Sequence, residues 1–149
     1  MGHKFFFTAL IIMSCYSIVF AQVKNEDNAY KSTKISISTD SCFAKTLTYL
    51  QNHNYFIEAV DKASGFIRAK SFVKKSNKMF SPETGEKRTL SVVVSPSGNA
   101  TLLSLNMYVE TINRGGNTST LIYYNEDKGI VNEPAIYQKL IADLKKKMQ

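Results

Sequence analysis

The chain has 149 residues, with 19 lysines and arginines against 12 aspartates and glutamates, for a formal charge of +7. That length suits one domain able to bury a core of its own. Two cysteines exclude a small scaffold held by several disulfides.

Lys4, the apolar run Phe5–Met13 and the triplet Val19-Phe20-Ala21 have the layout of a cleavable signal peptide. The cut is expected after Ala21, which makes residues 1–21 a signal peptide and the product secreted or periplasmic. Ile12-Met13-Ser14-Cys15 loosely matches a lipobox, so lipid attachment through Cys15 is the alternative. Met13 fits its position poorly, and the residues after Cys15 stay mostly apolar where a lipid-anchored chain turns polar. A membrane span needs about 20 continuous apolar residues, and Ser14 to Ser17 interrupt this run. The segment carries one lysine and no acid, so the rest of the chain stays basic. It also leaves one cysteine, Cys42, and one histidine, His53, too few for an intramolecular disulfide or a four-ligand zinc site.

Residues 22–33 are polar and without apolar periodicity, which predicts a flexible leader. Ile35 and Ile37 alternate with polar residues in a strand over 34–38. Thr39, Asp40 and Ser41 are competent caps for a helix that carries Phe43, Leu47 and Leu50 and ends near Asn52. Strands are expected at Tyr55–Val60 and Phe66–Val73, joined by a turn over Asp61–Gly65. Lys74 to Lys87 reads as a long connection or the flared tip of a hairpin. A strand over Leu90–Ser95 meets a turn at Pro96–Asn99. The next strand alternates Thr101, Leu103, Leu105, Met107 and Val109 on one face with a mostly polar set on the other, so the sheet should be covered on one side. Turns are expected at Asn113–Asn117 and Glu126–Gly129, flanking a strand over Thr118–Asn125.

The last segment is a helix, with Asn132 as cap, Pro134 in the first turn, and Ile136, Leu140, Ile141, Leu144 and Met148 on one stripe. Lys145, Lys146 and Lys147 complement the dipole at its end. The expected fold is α+β: residues 34–149 form one two-layer domain, a mostly antiparallel sheet of about six strands with both helices on one face, in the order β-α-β-β-β-β-β-α.

The chemistry is sparse. Cys42 and His53 lie at opposite ends of one predicted helix, roughly 16 Å apart, beyond the contact a nucleophile and its base need. Glu58, Asp61, Glu83, Glu86, Glu110, Glu126 and Asp127 fall mostly in predicted turns or on the open face and read as solvated acids. An enzyme using a pair of them is the third functional reading. Gly115-Gly116 reads as a turn, since no phosphate-binding motif surrounds it. Asn99-Ala100-Thr101 and Asn117-Thr118-Ser119 fit the N-glycosylation pattern. No catalytic residue, metal ligand, cofactor or nucleic-acid partner is expected.

One cluster suggests binding. Lys70, Lys74, Lys75, Lys78, Lys87 and Arg88 have only Glu83 and Glu86 as local counter-charges, with Phe72, Met79 and Phe80 interleaved. Such a patch suits a protein partner or an anionic surface. The plainer reading is a hairpin whose lysines protect strand edges.

The passage from Leu47 to Ala69, with Asp61 and Gly65 in an Asp-x-x-x-Gly turn, resembles small bacterial envelope domains, including those of the lipoprotein subunit of the outer-membrane barrel-assembly machinery. The resemblance implies a helix-grip-like fold, a curved antiparallel sheet on a terminal helix, and no catalytic residue. The expected function is a non-catalytic secreted or cell-envelope binding module with a protein partner. The alternative is a carrier of a small apolar ligand, held between the sheet and the C-terminal helix by Leu103, Leu105, Met107, Ile136 and Leu140.

Overall fold

The structure, a computed structural model, describes residues 26–75, 81–117 and 120–148. The expected signal peptide, with Cys15, lies outside the described residues, as does Lys78. A short 3₁₀ helix over Glu26–Lys31 precedes β1 (Ser32–Ile35), α1 (Thr39–Asn52), β2 (Phe56–Asp61), β3 (Phe66–Lys74), β4 (Glu83–Ser97), β5 (Ala100–Asn117), β6 (Thr120–Ile130) and α2 (Pro134–Met148). The six strands form one antiparallel sheet in the order β1-β5-β4-β3-β2, with β6 also on β5. β1 and β6 share one flank of β5, with β1 at Thr101–Ser104 and β6 at Tyr108–Asn117. This is the predicted α+β class and element order.

The core lies between one sheet face and the two helices. Ile67, Ala69, Leu90, Val92, Val94, Leu103, Leu105 and Met107 point inward from the strands and meet Cys42, Phe43, Tyr49 and Leu50 of α1 and Tyr137, Leu140, Ile141, Leu144 and Met148 of α2. Burying each large aliphatic side chain contributes about 2 kcal/mol. Ser38 caps α1, its hydroxyl accepting from the Ser41 N–H at 3.3 Å. Tyr137 adds a polar tie at the centre: its hydroxyl accepts from the Met107 N–H (3.1 Å) and donates to the Val131 carbonyl (2.8 Å), so helix, loop and strand share one group.

The β2–β3 turn forms as expected. Asp61 accepts from the Ala63 N–H (2.9 Å) and the Ser64 hydroxyl (2.7 Å), and these bonds hold its carboxyl below the usual range. Gly65 sits at φ 69°, where a Cβ would stand 2.0 Å from the Val94 carbonyl oxygen.

Three expectations change. The leader is ordered from Glu26 on: Tyr30 packs on the Tyr137 ring and donates to the Asn132 carbonyl, and Lys31 reaches the Asn132 side chain, so long-range contacts replace the missing apolar periodicity. The long connection after Lys74 shortens, because β4 begins at Glu83 and pairs with both β3 and β5. The turns expected at 113–117 and 126–129 are strand residues, the first opposite 120–124 of β6 and the second opposite 109–111 of β5. A bulge at Val109/Glu110, beside Gly129 at φ 80°, absorbs the irregularity.

The sheet outruns its helices. β5 has 18 residues, about 60 Å of strand, whereas α2 has 15, about 22 Å of helix. The far ends of β4 and β5, with β6, therefore project as a ribbon beyond the helical layer.

Candidate interaction surface

The five cations of the cluster that lie among the described residues do not share one face. Strand parity puts Lys70 and Lys87 on the face away from the helices, where Lys70 pairs with Glu58 of β2 and Lys87 with Glu110 of β5. Arg88 lies on the helix side and grips Glu86 through Nη2 (2.8 Å) and Nε (3.0 Å). Lys75 bridges Glu86 (2.6 Å) and Glu83 (3.0 Å). Among the described residues only Lys74 of the set is exposed without an ion pair. Glu83 and Glu86 are the local counter-charges visible in the sequence, whereas Glu58 and Glu110 come from neighbouring strands that the local sequence could not show.

A groove of about 420 Å³ opens on the helix side, between the ribbon and the start of α2. Met107, Val109 and Ile136 give it an apolar floor, and Lys75, Glu83, Glu86, Arg88, Lys128 and Glu133 surround it with both signs of charge. Hydrogen bonding from Lys75 chiefly, and then from Arg88, holds the Glu86 carboxyl below its usual range. Across Thr111 in the sheet register stands Glu126, held down in the same way by Lys128 (2.7 Å) and the Asn113 amide (3.0 Å). Both carboxylates are ionised at neutral pH, and neither is tuned to donate a proton. Of the five residues expected to line an apolar cleft, Met107 and Ile136 reach this groove and, with Leu140, line a second cleft of about 350 Å³ beside α2, while Leu103 and Leu105 are packed into the core.

The remaining chemistry is structural. Cys42 is fully buried, with its thiol pKa raised by that burial, and its sulfur lies 4.0 Å from Met148 Sδ. At the other end of α1, His53 stacks on Tyr49 with ring centroids 3.9 Å apart and donates from Nδ1 to the Tyr49 carbonyl (2.8 Å). Asn99 is exposed in the β4–β5 turn, and the hydroxyl residues of the second glycosylation motif lie outside the described residues.

Phe56 of β2 and Phe72 of β3 are exposed singly on the face away from the helices, whereas β6 exposes a contiguous apolar run. Leu121, Ile122, Tyr123 and Tyr124 are 51%, 54%, 61% and 50% exposed, and they alternate between both faces of an edge strand. The Tyr124 ring lies over Gly115, where a Cβ would come within 3.2 Å of it. Among the described residues β6 pairs with β5 alone, so its other edge takes no strand. In the sequence the tetrad shows as four apolar residues in a row beside a β5 that alternates, the pattern of a strand apolar on both faces.

Neither a family model nor a curated protein matches the chain. Its fold is similar to that of a crystal structure of a DUF4468 family protein from Bacteroides ovatus, with 11% identity, 78% of this chain and 84% of that chain covered, and a TM-score of 0.46.

Proposed function

We propose that this chain is a non-catalytic binding module of the cell envelope or the extracellular space, which holds a protein partner on the β5–β6 ribbon. The observation that carries this reading is the exposed tetrad Leu121 to Tyr124 on an open strand edge. Contiguous exposed apolar residues mark contact surfaces, tyrosine supplies apolar area with a polar tip, and an open edge offers backbone hydrogen bonds to an added strand. The basic cluster contributes little, since its cations are largely paired within the sheet.

Export is supported by the signal-peptide layout of residues 1–21 and by the resemblance of residues 47–69 to envelope domains. The ligand-carrier reading is weaker, because both clefts beside α2 carry charged side chains, Arg88, Lys139 and Asp143 in the second of them, whereas sites for apolar ligands are lined mainly by apolar ones.

A photo-crosslinking residue at Tyr124, compared with one at Lys74, tests the contact surface in the cells that make the protein. A protein adduct at Tyr124 and none at Lys74 is expected; no adduct at Tyr124 overturns the proposal. Mass spectrometry of the mature protein should find Gln22 at the N-terminus. A chain that retains residues 1–21 would overturn export by a cleaved signal peptide.

A further inference from the structure

We infer that the strand received by β6 is β6 of a second copy of this chain, so that two sheets join edge to edge across a two-fold axis at Tyr123; this rests on the reading of the ribbon as a binding surface.

The two long edges of the sheet are treated differently. β2, at one edge, is six residues long, carries Glu58 and Asp61, and is bulged between Ile57 and Ala59. Charges and bulges of this kind blunt an edge against pairing. β6, on the opposite side, is 11 residues long. Between Arg114 and Glu126 the chain has no charged side chain, although 21% of its residues are charged. β6 is guarded in the same way only at Glu126–Lys128, where it is charged and bulged, and is left able to pair over Thr120–Asn125.

The sequence of β6 is self-complementary. A two-fold axis normal to a sheet pairs equivalent edges antiparallel and keeps each side chain on its own face. Centred on Tyr123, that operation sets Tyr123 opposite Tyr123 of the second copy and Ile122 opposite Tyr124 of the second copy, twice. Leu121 then falls opposite Asn125, diagonal to the tyrosine pair. Ile122 and Tyr124 share the helix-side face with Gly115 and Asn113, while Leu121 and Tyr123 share the other face with Gly116 and Arg114. Both faces of the joined strands thus gain apolar cross-strand contacts.

Other centres fit less well. Centring on Tyr124 sets Ile122 against Glu126 and Leu121 against Asp127, and centring on Asn125 sets Ile122 against Lys128 and Tyr123 against Asp127. Centring on Ile122 pairs fewer residues of β6. In the Tyr123 register Glu126 falls opposite Thr120, and neither Glu126 nor Asp127 meets its own copy.

The test uses the full chain with Cys15→Ser, so that buried Cys42 is the only native thiol. This parent should sediment as a dimer when concentrated and dissociate on dilution, as a small interface does. Adding Tyr123→Cys brings two equivalent residues to about 5 Å between Cα atoms, within disulfide range. Mild oxidation should then give a covalent dimer, whereas Ile130→Cys on the same strand should not. Ile122→Glu should sediment as a monomer at every concentration, with a urea midpoint close to the parent's at a dilution where the parent is also monomeric.

A parent that stays monomeric at all concentrations, equal crosslinking through residues 123 and 130, or a dimer that survives Ile122→Glu would each overturn the inference. The Tyr124 photo-crosslinker separates the two levels of the reading. An adduct of twice the chain mass supports the second copy. An adduct with a different protein from a monomeric chain overturns the second copy and leaves the binding module standing. No adduct of either kind overturns both.

Discussion

The same strands behave in two ways along their length. Over Leu90–Val94 and Thr101–Met107, β4 and β5 lie under both helices, and their inward residues are almost completely buried. A few residues further on, the helices have ended, and the ribbon is held by ion pairs, cross-strand polar bonds and β6. The covered half carries the folding free energy, while the projecting half presents apolar side chains that the chain itself does not cover. On the proposed function, stability and recognition are separated along one sheet, and substitutions in the two halves should differ accordingly.

The largest effect belongs to the covered half. Leu144→Ala, at a fully buried position facing the sheet, should cost about 4 kcal/mol through lost burial and the cavity left behind, read as a lower urea midpoint. Gly65→Ala should cost about 3 kcal/mol. It forces a Cβ into a left-handed φ and against the Val94 carbonyl, and it strains the neighbouring hydrogen bond from the Val94 N–H to the Gly65 carbonyl (2.9 Å). Tyr137→Phe keeps the ring but leaves the Met107 N–H and the Val131 carbonyl without their shared partner. The loss should be about 2 kcal/mol.

The boundary between the halves should show a smaller, pH-dependent effect. Lys75 and Arg88 hold Glu86 below its ordinary pKa of 4.5 in the folded state. The stability this provides is fully present above 4.5 and is lost as the pH falls through the lowered folded value. Glu86→Gln should therefore cost about 1 kcal/mol at neutral pH. The gap should close in acid, as compared by urea unfolding of both proteins across that range.

Much of the covered half was legible in the sequence, because a surface buried on one side writes its period into the chain. Thr101, Leu103, Leu105 and Met107 alternate, and Leu140, Ile141, Leu144 and Met148 form a helical stripe. Tyr137 escaped that pattern because its polar tip hides a fully buried ring. The start of β4 escaped for another reason. Glu83, Glu86, Lys87 and Arg88 look like loop residues until Glu110 and Lys75 are seen opposite them. That neutralisation leaves Lys74 as the exposed cation without an ion pair among the described residues of the basic cluster. The tetrad of β6 was legible as a strand but not as a surface, since an apolar run reads the same whether its own chain or another covers it.

The most direct test of the division is urea unfolding of the double variant Ile122→Ser, Tyr124→Ser at a dilution where the chain is monomeric. If these side chains serve contact and not folding, the unfolding free energy should fall by no more than about 2 kcal/mol, the cost of two half-exposed strand positions. A loss comparable to that of Leu144→Ala would show that the ribbon is part of the folding core, and would contradict the separation of stability from recognition.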